Sequence, residues 1–337
     1  MKEYKIAVVG AMGAVGSEML KTLAQRHFPA SEVKALDIAA NAGKKVPFGD
    51  GELTVRETKI EEFQGVNAAL FAVGDAISKE LAPQVAATGC VVIDNSAAWR
   101  MDPNVPLVVP ECNPEDLRWH KGIIANPNCS TIIAMVPLKP LHDYAGLKRI
   151  TAATYQAVSG AGILGLSELS NQTRDVLDGK PAQPKVFQHQ IAFNLIPHID
   201  YFEDNGYTHE EMKMFREGRK ILGLPNLMVN CTCVRVPVFR SHSEAITIET
   251  ERELTPEKAR ELLANAPGVK LFDDPSKNEY PMPVDTSNGD LVWVGRIRTD
   301  ISAPNSLTFW CAGDQIRKGA ALNAVQIAET MAKMDIL

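Results

Sequence analysis

Long apolar runs are missing from this chain: none of its 337 residues falls in a stretch approaching the ~18 uninterrupted apolar positions of a membrane-spanning helix. An excess of positive charge is missing too. Lys and Arg number 35 against 41 Asp and Glu, a formal net charge of −6, which leaves no electrostatic footprint for nucleic acid or an anionic membrane. The six cysteines (Cys90, Cys112, Cys129, Cys231, Cys233, Cys311) form no CxxC pair, which argues against a zinc ribbon and a disulfide framework. Cys231 and Cys233 share one face of a strand pattern, but two thiols without a third ligand make a poor metal site, and none is expected. Internal repeats and low-complexity tracts are absent. The N-terminal Met1-Lys2-Glu3-Tyr4-Lys5 leads straight into a strand pattern rather than a signal-peptide core, so a cytoplasmic chain is expected. What is present, 45% hydrophobic and 23% charged residues, is the composition of a globular protein. Its length predicts two domains, and its charge a small-molecule partner.

Residues 5–9 (KIAVV) are a short β-branched run, followed by GAMGAVG and then SEMLKTLAQR, where the apolar spacing changes to the helical period. Further apolar runs at 33–37, 68–73 and 91–94, with a helical pattern between the last two, predict a doubly wound parallel sheet. Strand-like runs at 107–109 and 123–125 extend it. Beyond about residue 130 the runs at 150–158, 231–239, 245–251 and 291–298 are longer and alternate, as in an antiparallel or mixed sheet covered on one face. Helices are expected at 208–222 and 255–265, and loops at 159–165 and 179–184. The segment from Ile316 to Lys333 has helical spacing and is expected to return to the first domain. The predicted domains are therefore 1–128 with 316–337, and 129–315.

The glycines of Gly10-Ala11-Met12-Gly13-Ala14-Val15-Gly16 lie between a strand and a helix, where they permit a tight turn and let backbone amides approach a pyrophosphate. The spacing is GxxGxxG rather than GxGxxG, and a strand-to-helix turn without a ligand is the competing reading. Asp37 closes the second strand, where a carboxylate accepts from a free ribose 2′-hydroxyl and repels a 2′-phosphate.

Cys129 lies in NPNCST ahead of the apolar run IIAMVPL. If Ser130 or Thr131 begins a helix, the thiol sits at its N-terminus, where the macrodipole favours thiolate. A buried structural role is the commoner fate of a free cysteine and is assigned to the other five.

NPNCST resembles the active-site segment of the aspartate-β-semialdehyde dehydrogenases, and GAMGAVG resembles their GATGAVG cofactor loop with Met12 in place of Thr. DNSAAWRMD, VPECNP, TYQAVSGAG, HEEMKM, RVPVFRSHSEAI and GAALNAVQIAE follow in the family's order over nearly the whole chain. The resemblance implies a Rossmann-type dinucleotide domain, an α+β catalytic and dimerisation domain, and a homodimer or dimer of dimers. It also implies reductive dephosphorylation of β-aspartyl phosphate to aspartate semialdehyde through a Cys129 thioacyl enzyme, in lysine, methionine and threonine biosynthesis.

By the same resemblance His242 supplies the base that frees the thiol and the acid that protonates the oxyanion, and Gln156 lies near the acyl carbon. Arg235 resembles the substrate carboxylate clamp, Glu210 the ammonium partner, Arg100 and Lys213 the phosphate site, with Asn128 assisting. Glu210 and Lys213 stand at i and i+3 of the predicted helix, so both can face one pocket. Gly10, Met12, Gly13, Ala14, Val15, Ser159, Gly160 and Gln315 match cofactor-binding positions. The family implies NADP, but its Arg-Ser pair after the second strand is replaced by Ala40 and Asn41, and with Asp37 nearby NAD becomes the alternative. An N-acetylglutamyl-phosphate reductase-like enzyme, a catalytically silent paralogue acting as a binding protein and a cofactor-free cysteine hydrolase are the competing functions. The silent paralogue would be expected to lack Cys129 or His242, and the hydrolase leaves the glycine loop unexplained.

Overall fold

The computed structural model describes residues 2–337 and divides into two compact units, one running to Asn128 and completed by Gly319–Leu337, the other spanning Cys129–Lys318. In the first unit the chain runs β1 (Tyr4–Val9), α1 (Ala14–Gln25), β2 (Ala30–Asp37), β3 (Lys45–Phe48), β4 (Gly51–Thr54), β5 (Arg56–Glu57), β6 (Ala68–Phe71), α2 (Asp75–Ala86), β7 (Val91–Asp94) and β8 (Ile123–Ala125). Six of these strands form one parallel sheet in the order β5-β2-β1-β6-β7-β8. The continuous apolar runs in β1, β6 and β7 are explained by helices on both faces, which leave no solvated side for a polar alternation. Strand order reverses between β1 and β6, the position at which open α/β sheets build a ligand crevice. β3 and β4 pair as a separate hairpin that the sequence reading did not include, and of 107–109 only Leu107 makes a bridge, to Ala125.

The second unit begins with α3 (Cys129–Ala145) and continues through β9 (Leu147–Gln156), α4 (Gly162–Leu177), α5 (His209–Leu222), β10 (Met228–Arg235), β11 (His242–Thr250), α6 (Pro256–Ala264), β12 (Val269–Leu271), α7 (Pro283–Thr286), β13 (Val292–Thr299) and β14 (Ser306–Gly313). Its sheet is mixed, in the order β10-β9-β11-β14-β13-β12: β9–β10 and β12–β13 are parallel, and the central pairs antiparallel. The chain then returns as α8 (Leu322–Lys333), whose Val325, Ile327, Ala328 and Met331 join Met19, Leu20 and Leu23 of α1 in the core of the first unit.

The reading of a parallel doubly wound sheet plus a second, mixed-sheet domain therefore holds, with local corrections. The expected loop at 159–165 is mostly structured: a short 3-10 turn at Val158–Ala161 leads into α4. Its glycines serve packing there, because a Cβ on Gly165 would lie 2.4 Å from the Val158 carbonyl oxygen. β10 ends at Arg235 rather than 239, since Pro237 has no N–H for a ladder, and β11 starts earlier than expected, at His242. No helix among the described residues is long and apolar enough to cross a membrane.

Candidate active site

In the first unit the glycine loop leaves β1 with Gly10 at φ +79°, where a Cβ would meet the Ala72 carbonyl oxygen at 2.4 Å. A Cβ on Gly16 would lie 2.1 Å from the Gly10 oxygen, so α1 packs on the turn only because both positions lack side chains. Gly13 is the N-cap of α1 and supplies no capping oxygen, and the first turn carries no acidic residue. The amides of Ala14 and Val15 thus open a helix N-terminus without a side-chain acceptor, which fits an anionic pyrophosphate. Met12 donates its backbone N–H to Asp37 Oδ2 at 2.8 Å, while Asp37 Oδ1 accepts from the Ile38 N–H (2.8 Å) and from Asn41 Nδ2 (2.9 Å). A cavity of ≈ 340 Å³ lies beside these groups, lined by Val9, Gly10, Asp37, Ile38, Glu57 and Val73 among others, and by no lysine or arginine. Ala40 presents no polar group there; Lys44 Nζ donates to Asn41 Oδ1 at 2.6 Å, and Lys45 is engaged with Thr54 and Glu52.

At the far end of the same sheet a chain of buried amides fixes the segment leading to residue 128. Asn126 Nδ2 donates to Asn95 Oδ1 at 2.8 Å, and Asn323 Nδ2 donates to Asn126 Oδ1 at 2.7 Å. Arg100, buried, donates from Nε to the Asn126 carbonyl (3.0 Å) and from Nη2 to the Asn95 carbonyl (2.8 Å). Asn128 closes this unit as a buried residue.

In the second unit Cys129 is the first residue of α3 and the only cysteine not buried. Burial pushes the Cys90 thiol up to about 12 and raises Cys311; Cys231 is raised by its contact with Cys233, 3.7 Å away, and then by burial. The ends of β10, β9 and β11 place Arg235, Gln156 and His242 in neighbouring positions of the sheet. The Thr154 hydroxyl donates to Gln156 Oε1 at 3.0 Å, and Gln156 Nε2 donates to Glu210 Oε1 at 3.0 Å. Glu210 Oε2 accepts from Lys213 Nζ at 3.0 Å, and Lys213 also donates to Asp200 Oδ2 at 2.9 Å. Burial works against the Lys213 ammonium, but the carboxylates of Glu210 and Asp200 outweigh it and raise its pKa.

The expected i, i+3 pair on α5 is therefore formed, and the helix start explains its aim. Thr208 caps α5 in a reciprocal box with Glu211, whose Oε1 accepts the Cys233 N–H at 3.0 Å and ties the first turn to β10. The Arg235 guanidinium donates from Nη1 to the Ala157 carbonyl at 2.8 Å. Burial lowers its pKa from the ordinary value against the pull of Glu210 and Cys129. Gly160 keeps the space beside it open: a Cβ there would lie 2.8 Å from Arg235 Nη1 and 3.4 Å from the His242 ring. Gln315 Nε2 donates to the Ser159 hydroxyl and its Oε1 accepts the Ser241 N–H at 2.8 Å, so this side chain braces the 158–160 turn against the start of β11. The bracing of Gln315, the Thr154 hydroxyl and the Asn95–Asn126–Asn323 chain were not evident in the sequence.

Another residue missed by sequence reading is Glu244, two positions beyond His242 on the same face of β11. It is fully buried, and neither carboxyl oxygen has a hydrogen-bond partner. Burial, reinforced by Glu210, raises its pKa well above the ordinary carboxylate value. A carboxyl whose folded pKa is raised adds stability below its unfolded pKa of about 4.3, and that stability is lost as pH rises toward the folded value. Glu244→Gln is expected to raise Tm at pH 8 and to flatten the fall in Tm between about pH 5 and 8. Calorimetric scans across that range check it; equal slopes for the two proteins would contradict a neutral buried acid.

Comparison with known proteins agrees with this division of labour. A family model described as "Semialdehyde dehydrogenase, NAD binding domain" matches residues 5–120, and one described as "Semialdehyde dehydrogenase, dimerisation domain" matches residues 138–318. The class set by fold and site is thus that of NAD(P)-binding oxidoreductases acting on semialdehydes. The chain is 53% identical over 339 residues to an aspartate-semialdehyde dehydrogenase of Aquifex aeolicus (strain VF5), covering 99% of each. It is 49% identical over 340 residues to one of Bacillus subtilis (strain 168), covering 98% of each. Aspartate semialdehyde dehydrogenase II of Vibrio cholerae, solved complexed with ASA, superposes with a TM-score of 0.95 at 46% identity over 99% of each chain. The chain belongs to the aspartate-semialdehyde dehydrogenase family. Of the functions weighed from the sequence, that of an aspartate-semialdehyde dehydrogenase is the one these relatives support.

Proposed function

We propose that the chain reduces β-aspartyl phosphate to aspartate semialdehyde with release of phosphate, through a thioester on Cys129. The observation that carries this reading is the hydrogen-bonded run Gln156–Glu210–Lys213 beside Arg235 and His242. It gathers a carboxylate, two cations, an amide and an imidazole as a substrate with an ammonium, a carboxylate and an acyl phosphate requires. Cys129 attacks the acyl carbon, Arg235 holds the α-carboxylate, and Glu210 takes the ammonium. Gln156 and His242 serve the reacting carbonyl, and Lys213, Arg100 and Asn128 serve the phosphate. Gly10, Met12, Gly13, Ala14 and Val15 hold the pyrophosphate, with Ser159, Gly160 and Gln315 forming the nicotinamide-side turn. The dinucleotide, when bound, supplies hydride. A homodimer through the second unit accords with the dimerisation-domain match. Phosphate-dependent reduction of NAD or NADP by aspartate semialdehyde tests the assignment; no reduction of either would overturn it.

For the cofactor, the same groups favour NAD. Two backbone N–H groups fix the Asp37 carboxylate at the glycine loop, and Oδ2 keeps a second lone pair for a ribose hydroxyl. Lys44 is tied to Asn41 and Lys45 to Thr54 and Glu52, and no lysine or arginine lines the adjoining cavity to meet a 2′-phosphate. Appreciable use of NAD is expected, with Asp37→Ser plus Asn41→Arg moving the preference toward NADP. Values of kcat/KM for both cofactors decide it: a wild-type preference for NADP beyond about a hundredfold, roughly 2.7 kcal/mol, would contradict this reading.

A further inference from the structure

We infer that Asp200 sets the anion specificity at Lys213: an anion held there carries a hydrogen for the Asp200 carboxylate, so hydrogen phosphate is accepted and sulfate is refused. This rests on the acyl-phosphate reading above, in which Lys213 serves the phosphate, and adds a specificity-determining residue to which that reading gives no role.

The count of donors leads to it. A lysine ammonium has three N–H groups. Lys213 Nζ gives one to Glu210 Oε2 at 3.0 Å and one to Asp200 Oδ2 at 2.9 Å, and the third has no partner among the described residues. With tetrahedral directions and ordinary N–H···O lengths, an anion oxygen on that third hydrogen stands about 5 Å from each carboxylate oxygen. From there another oxygen of a tetrahedral anion comes within hydrogen-bond distance of Asp200. Glu210 is already committed, with Oε1 accepting from Gln156 and its side chain 7% exposed, against 31% for Asp200. Asp200 Oδ1 accepts the Tyr201 N–H at 3.0 Å, which turns Oδ2 toward Lys213, and Oδ2 keeps a second lone pair.

The chain around Asp200 fixes that carboxylate. Asp200 has φ +70°, in the left-handed region that Asp and Asn tolerate better than other side chains. Four residues earlier, Ile196 exchanges two backbone hydrogen bonds with Arg235, at 3.0 and 2.8 Å, tying the approach to the end of β10. On the other side the His209 N–H donates to the Tyr201 carbonyl at 2.8 Å, and the two rings stack with centroids 4.7 Å apart. Arg216 Nη1 on α5 donates to Glu203 Oε1 at 2.7 Å. The segment is fastened to β10 and to α5, so Asp200 stays beside Lys213 when an anion arrives.

Charge then decides which anion fits. Two carboxylates share the one ammonium, and the other cation attracted to Glu210 is Arg235. A carboxylate repels a bare anionic oxygen but accepts a charge-assisted hydrogen bond from a P–OH group. Near neutral pH, phosphate retains at least one hydrogen and sulfate has none. The phosphoryl group of an acyl phosphate is a dianion without O–H, so its binding takes up one proton from solvent, held between Asp200 Oδ2 and a phosphoryl oxygen. When the sulfur–carbon bond to Cys129 has formed, the carbon–oxygen bond to phosphate breaks with its electron pair on oxygen. The group leaves as hydrogen phosphate with that proton, and Asp200 is again a carboxylate.

The test is phosphate-dependent oxidation of aspartate semialdehyde near neutral pH, with sulfate added and ionic strength held constant with chloride. In the wild type the Ki for sulfate against phosphate is expected to exceed the KM for phosphate by at least about tenfold, the lower end for losing a hydrogen bond to a charged group. Asp200→Asn keeps a side chain suited to the left-handed backbone and offers an N–H to a bare oxygen. It is expected to lower the ratio of sulfate Ki to phosphate KM by at least about tenfold. A residue that merely fastens Lys213 would move both constants together and leave the ratio unchanged. That outcome overturns the inference, as does sulfate competing with the wild type as strongly as phosphate binds. Calorimetric titration with sulfate gives the same comparison without turnover, and the wild-type ratio needs no variant. Absence of phosphate-dependent turnover in the wild type would instead overturn the aspartyl-phosphate reading; turnover without discrimination overturns only the role of Asp200.

Discussion

Cys129→Ala is expected to abolish turnover while leaving dinucleotide affinity unchanged. In the proposed mechanism the thiol forms the covalent intermediate, and losses on removing such a nucleophile reach about 10⁴-fold or more. No neighbour can take over: the other five cysteines are buried, and for Cys90, Cys231 and Cys311 the pKa is raised, leaving them poor nucleophiles. The glycine loop and Asp37 lie in the first unit and make no use of the thiol, so the cofactor should bind as before. Steady-state rates with aspartate semialdehyde and phosphate, beside a fluorescence titration of the dinucleotide, give the two readouts. A variant retaining a tenth of wild-type activity would remove the thioester from the mechanism. In the wild type, mass spectrometry after treatment with an acyl-phosphate analogue should find one adduct, on Cys129.

Arg235→Lys is the second large effect. A guanidinium presents a planar fork that matches a carboxylate through two parallel hydrogen bonds, and an ammonium offers a point charge. Arg235 uses Nη1 for the Ala157 carbonyl, so one guanidinium can brace that turn and still present N–H groups to substrate; a lysine must choose. A loss of about 2–3 kcal/mol in transition-state binding is expected, roughly 30–150-fold in kcat/KM. Because the lost brace also touches the residue that bonds His242, part of the loss should appear in kcat rather than KM. A parallel melting curve separates this from unfolding, and an unchanged kcat/KM would place Arg235 outside the substrate site.

What the sequence made legible followed from local geometry. The switch from a β-branched run to helical spacing across Gly10–Gly16 is a pattern a few residues long, and the structure repeats it as β1, turn and α1. Glu210 and Lys213 could be placed on one side of a helix because i, i+3 spacing alone decides it, and their side chains meet at 3.0 Å. Long-range closures were hidden. The partner of His242 Nδ1 lies 85 residues away in the chain, and Gln315 reaches Ser159 across 156. Residues 159–165 looked like a loop because glycine signals both turns and tight packing, and only the neighbouring Val158 oxygen distinguishes them. The edge of β10 at Arg235 depended on Pro237 two residues later, a breaker embedded in an otherwise convincing strand.

The amide chain through Asn126 also bears on how the protein is made. Asn126 waits for Asn323, which leaves the ribosome 197 residues later, and the α8 side chains that fill the core under α1 arrive with it. At synthesis speeds of about 5–20 residues per second that delay is roughly 10–40 s. The uninterrupted stretch from Cys129 to Lys318 has its whole sheet available before α8 emerges. Vectorial synthesis therefore favours completing the C-terminal sheet first, while the nascent parallel sheet waits with the surface meant for α8 uncovered.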